Sequence, residues 1–125
     1  MRSVAAFLVA QIAAILCSGA PASQWTISTY AGTGVKGPSQ EGALATATNL
    51  DNPFGVVRGP DGAIWFCQYT GQVISKITAD GRIHTVAGNG QMCYAGDGGP
   101  AREASFNLPH EIRFDQAGNF YIADM

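Results

Sequence analysis

The order of apolar and polar positions sets the first expectation. Four short stretches, Phe54–Arg58, Ala63–Cys67, Gln72–Ile77 and Arg82–Ala87, are rich in Val, Ile, Phe, Trp and Thr. Between them stand Asp61-Gly62, Thr70-Gly71 and Asp80-Gly81, where glycine tolerates the positive φ that tight hairpins demand. Short strands punctuated in this way predict an antiparallel all-β meander. The apolar residues do not alternate cleanly, because Ile64-Trp65-Phe66-Cys67 is apolar on both faces of a strand. A half-solvated sheet would alternate, so this one is expected to be covered on both sides.

The pattern then recurs. Ala31-Gly32-Thr33-Gly34 returns fifty-six residues later as Ala87-Gly88-Asn89-Gly90, Pro53 as Pro109, Gly62 as Gly118 and Trp65-Phe66 as Tyr121-Ile122. Glu41-Gly42-Ala43 faces Asp97-Gly98-Gly99 at the same shift. Four strands per unit, with units repeated and buried on both faces, describe the blades of a β-propeller. No stretch has helical periodicity long enough for the crossover of a parallel α/β fold. Only "GPAREAS" reads as about one helical turn, with Pro100 near its start. An immunoglobulin-type sandwich is the nearer rival, but it leaves the repeat unexplained.

The repeat units run from about 30 to 86 and from 87 to 125. They predict one complete four-stranded blade (Pro53 to Ala87), half of another (Pro109 to Asp124) and one extra outer strand (Trp25 to Ala31), about two blades in all. A six-bladed ring of this period would need roughly 340 residues. The chain therefore reads as the amino-terminal portion of a longer protein. By itself it is expected to be poorly stable, with apolar faces and an open edge left unpaired.

The segment "YAGDGGPAREASFNLPHEIRFDQAGNFYIAD" resembles the NHL-repeat family of β-propellers, whose blades carry a GDGGPA loop, a proline before the inner strand and a "GN-YIAD" second strand. "TGQVISKITADGRIHTVAGNG" is similar to the second half of that unit. The resemblance covers roughly Trp25 to Met125. The first unit departs from it, with Glu41-Gly42-Ala43 for the loop and Phe66-Cys67-Gln68 in place of Ile122-Ala123-Asp124. The resemblance implies an exported binding or scaffold propeller that holds a protein, peptide or glycan partner on its face. It also implies an alternative, a lactone hydrolase of the gluconolactonase and regucalcin type, with a divalent metal such as calcium in the central channel. A lyase acting on modified peptides ranks last, resting on fold analogy alone.

The first residues change the picture of where the protein works. Met1-Arg2-Ser3 is a short positive start, Val4 to Leu16 is almost unbroken apolar sequence, and Ala20-Pro21-Ala22 supplies the small residues a signal peptidase reads. Residues 1–22 are expected to be a signal peptide, leaving 23–125 as a secreted or periplasmic chain. The apolar run is shorter than the roughly 20 residues a bilayer span needs, so stable membrane insertion is not expected after cleavage. The membrane-anchor reading and a lipoprotein reading at Cys17 are the weaker alternatives. Charged residues make up only 13% of the chain, its net charge is −2, and no Lys/Arg cluster exists to displace counterions from phosphates. Nucleic acid is therefore not an expected partner.

Candidate chemistry is sparse. The "AGTG" and "AGNG" loops do not open helices after strands, so they read as inter-blade turns and not as phosphate cradles. Asp97 is the one carboxylate of "AGDGGPA", too few for a calcium loop, and is expected to cap the short helix at Pro100-Ala101 or the adjoining turn. His110 and Glu111 head the second inner strand and could ligate a divalent metal or perform acid–base work. However, adjacent strand residues face opposite ways, and the plainer reading is that one faces the channel while the other makes an inter-blade hydrogen bond or an ion pair with Arg113 or Arg102. Cys67 and Cys93 form an even pair in an oxidising compartment, so a disulfide is open, as is a simply buried Cys67. Under the NHL resemblance Asp124 is expected to hydrogen-bond structurally, with Gln68 accepting the same bonds in the first blade. Trp25, Trp65, Tyr69 and Tyr121 are read as packing residues ahead of a ligand-stacking set.

Overall fold

A computed structural model describes residues 25–125; the expected signal peptide, residues 1–22, lies outside them. Six strands form: β1 (Pro53–Arg58), β2 (Ile64–Gln68), β3 (Val73–Ile77), β4 (Ile83–Ala87), β5 (Glu111–Phe114) and β6 (Phe120–Ala123). β1 to β4 make an antiparallel sheet in sequence order, and β5 pairs with β6 in a second sheet. Each strand of the first sheet lies within a residue of its expected bounds. The molecule is all-β, with the architecture of a partial propeller: one whole blade and half of the next.

Two hairpin turns follow the glycine rule, with Gly62 and Gly81 at φ of 78° and 77°. The third does not. Its left-handed residue is Gln72 (φ 57°), while at Gly71 a β-carbon would crowd the side chains of Gln68 and Asp51. "GPAREAS" forms one 3-10 turn at Ala101–Glu103, and a matching turn stands at Ala45–Ala47. Asp97 does not cap the second turn; its Oδ2 accepts the Tyr94 hydroxyl at 3.0 Å, and Pro100 at the N-cap makes no side-chain bond.

The four-stranded sheet is covered by the second sheet on one face and in part by the preceding loop on the other. On one, Ala63, Trp65, Cys67, Ile74 and Ala87 pack with Ile112 of β5, and Phe106, Phe114, Phe120 and Ile122 close over them. On the other, Phe66, Ile77 and Ile83 pack on Ala45, Ala31 and Leu50. This explains why β2 is apolar at successive positions: Trp65 and Cys67 belong to one core and Phe66 to the other.

Two expectations change. Residues 25–30 form no strand, and Trp25 and Ile27 are 94% and 100% exposed, because no neighbouring strand offers them a ladder. The outer edge of β4 is not open. Gly42 donates to the Ile83 carbonyl (2.8 Å), Ile83 donates to Ala43 (3.0 Å) and Ala45 donates to Gly81 (2.8 Å). The loop before the blade thus folds back as a cover for its last strand, satisfying groups that would otherwise template association.

Candidate functional site

The starts of β1 and β3 and the ends of β2 and β4 lie on one side of the blade, and the repeated loops cross that same side. Their geometry repeats as closely as their sequence. Gly32 donates to Ala45 and Gly88 to Ala101, while Gly37 donates to Leu50 and Cys93 to Phe106. Asn52 and Leu108, one period apart, both take positive φ, at 50° and 63°. The Asp51 amide donates to Gln68 Oε1 at 3.0 Å, and the Asn107 amide donates to Asp124 Oδ1 at 2.8 Å. Asp124 and Gln68 therefore do the same structural work in successive repeats, as their aligned positions imply.

A groove of about 420 Å³ opens where the two repeats meet. Its floor is Gln68, 1% exposed, which donates from Nε2 to the hydroxyls of Ser39 and Ser75, each at 2.8 Å. Along one wall Glu41 accepts from the Thr85 amide (2.9 Å), contacts His84 Nδ1 (3.0 Å) and pairs with Arg102 of the second repeat (3.5 Å). Partial burial pushes the Glu41 pKa up, but the Thr85, His84 and Arg102 contacts outweigh it and hold the carboxyl below its ordinary value. Asn89 closes the far end, its amide nitrogen donating to Ser105 Oγ (3.0 Å) and to the Glu103 carbonyl (3.1 Å). Gly88 (φ 89°) must be glycine there, since a β-carbon would strike the Gln72 carbonyl oxygen.

His110 and Glu111 stand at the head of β5, pressed against Gly55 of β1. A β-carbon on Gly55 would lie 2.7 Å from the His110 carbonyl oxygen, which accounts for glycine in this strand and for its bulge. The two side chains do not share a site. Glu111 pairs with Arg113, and His110 Nδ1 lies 3.2 Å from the Ala123 carbonyl oxygen. Among the described residues no group of three or more His, Cys, Asp or Glu is gathered closely enough to hold a metal.

Cys67 and Cys93 stand as free thiols, Cys67 buried in β2 and Cys93 exposed in the loop, so the open disulfide is not formed. Burial first, then the charges of Glu111 and Asp124, pushes the Cys67 thiol up to about 12. It is an inert core residue. The aromatic residues take separate places. Trp65 is core, Tyr69 packs on Phe54 at 5.2 Å, and Tyr121 donates to Asp115 Oδ2 at 3.1 Å. Sequence reasoning did not single out Ser39, Thr85 or Asn89. Asn89 stood in the repeated Ala-Gly-x-Gly motif, but Thr85 and Ser39 carry no local signal, because they meet only when the loop folds over β4.

Fold and groove together define a class: an all-β, propeller-like module with a polar face built from repeated loops. The solved structures to which the chain is similar include three of which it spans only about a quarter of the length. One is a structural genomics protein of unknown function from Bacteroides thetaiotaomicron: 28% identity over 78% of this chain and 24% of that one, TM-score 0.66. Another is an auxiliary nutrient binding protein from the same organism: 27% identity over 76% of this chain and 25% of that one, TM-score 0.61. The third is an auxiliary nutrient binding protein from Bacteroides ovatus: 26% identity over 70% of this chain and 24% of that one, TM-score 0.55. No protein-family model and no curated protein matches the chain. No helix among the described residues is long and apolar enough to cross a membrane.

Proposed function

We propose that this chain is a ligand-capturing module of an exported, NHL-type β-propeller, holding a nutrient-type small molecule on its loop-bearing face without chemistry of its own. One observation carries this reading: a polar groove joins two repeats of a fold shared with two nutrient binding proteins. A binding module needs a concave, pre-formed surface with fixed polar groups, and Gln68 and Glu41 are each held by several bonds. Residues 1–22 fit the reading as an export signal.

The test is a thermal-shift screen of the full chain against sugars, amino acids, nucleosides and vitamins. A ligand at one hundred times its Kd adds about 2.7 kcal/mol to stability, a readable rise in Tm. Thr85→Trp fills the groove and is expected to abolish the rise. No rise with any compound, or one that survives Thr85→Trp, overturns the reading.

A further inference from the structure

We infer that the groove between the repeats takes a neutral, hydroxyl-rich ligand, namely a saccharide ring or short uncharged glycan; this rests on the binding role proposed above. The lining is the first reason. Small-molecule pockets are commonly lined by apolar and aromatic side chains with a few polar groups. Here polar side chains outnumber the larger apolar ones: Ser39, Glu41, Gln68, Thr85, Asn89 and Arg102 line the groove beside Pro38 and Val73. An apolar ligand would take the Ser39 and Thr85 hydroxyls out of water without offering them a partner, at the cost of their desolvation.

Charge is the second reason. The lining holds one carboxylate and one guanidinium, already paired across 3.5 Å. An anion drawn to Arg102 would be set against Glu41, and a cation drawn to Glu41 against Arg102. A hydroxyl both donates and accepts, so neighbouring hydroxyls on a ring can satisfy both ends of such a pair at once.

A peptide is the remaining competitor, and the sheet argues against it. Extended peptides are commonly bound by adding a strand to an exposed edge. The edge of β4 beside the groove is occupied: Ala43 accepts from Ile83, Gly42 donates to it, and the Glu41 side chain takes the Thr85 amide. What stays available is side-chain chemistry. Ser39 accepts one bond from Gln68 and keeps its hydroxyl proton to give, and among the described residues the Thr85 hydroxyl has no partner. The volume, about 420 Å³, lies in the ordinary range for small-molecule sites.

The experiment presents the full chain to an array of neutral oligosaccharides, beside uronate-bearing and sialylated glycans and a panel of short peptides. Hits are titrated by calorimetry. The expected result is binding of a neutral glycan that Thr85→Val and Ser39→Ala each weaken about 3- to 10-fold, with melting unchanged in Thr85→Val. Binding confined to acidic glycans or peptides overturns the saccharide assignment while leaving the module a binder. A neutral glycan bound with equal affinity by both variants overturns the location. Absence of any hit overturns this inference, and the binding role falls with it only when the thermal-shift screen is blank as well.

Discussion

Single acidic residues organise the strand ends opposite the groove. Asp61 accepts from the Ala63 amide (3.2 Å), Trp65 Nε1 (2.9 Å) and Lys76 Nζ (2.9 Å), and so aims Trp65 between Phe114 and Phe120 of the second sheet. Gly59 must lack a side chain for the indole to lie there. In the second repeat Asp115 does the equivalent work, accepting from Tyr121 and Asn119. The Lys76 bond first, then the Trp65 bond, holds the Asp61 carboxyl below its ordinary 3.8. A depressed carboxylate contributes stability that is present above its unfolded pKa and lost as pH falls through the folded one. Asp61→Asn is therefore expected to lower stability at neutral pH and to flatten the loss of stability below about pH 4 seen in the wild type. Urea unfolding at pH 7 and pH 3 reads both, and equal pH dependence in the two proteins sinks the assignment. This role was not legible beforehand, since Asp61 looked only like a turn residue. The shared role of Gln68 and Asp124 was legible, because both sit at one position of the repeat.

At the scale of elements, β5 and β6 are held by what they bury against the first sheet. A two-stranded hairpin alone is marginal in water. Ile112 of β5 is fully buried in the core that includes Trp65, Cys67 and Ile74, so it fixes one sheet against the other. Ile112→Ala is expected to cost about 2–5 kcal/mol and to raise hydrogen exchange across β5 and β6 before β2 and β3. Uniform exchange in the variant would show that the sheets do not dock through this residue. The strands themselves could be read from the chain because apolar runs and turn residues are local signals. The cover on β4 could not, since it joins Gly42–Ala45 to Gly81–Ile83 across some forty positions.

At the scale of the molecule the repeat carries a consequence for association. The second sheet and the loop before it present Phe106, Ile112, Phe120 and Ile122 to the first sheet. One period earlier stand Leu50, Val56, Ile64 and Phe66, and these line an apolar hollow of about 250 Å³ on the first sheet. Val56 there is 65% exposed. A face built to meet another blade associates when that blade is not supplied. The full chain studied alone is expected to sediment as concentration-dependent oligomers, and Val56→Lys to shift the distribution toward monomer. A monodisperse monomer at all concentrations would contradict this.

The amino-acid order by itself determined the β class, the bounds of the four strands of the first sheet and the two repeats, because each follows from local periodicity or from one period set beside the next; the matching roles of Gln68 and Asp124 followed from the family resemblance laid over that repeat. Tertiary structure alone decided which polar groups meet. Ser39, Glu41, Thr85 and Arg102 converge only through loop closure, and Glu111 turns to Arg113 instead of to His110. Contacts between distant positions depend on how the chain returns on itself, and the pattern along a strand does not encode that path.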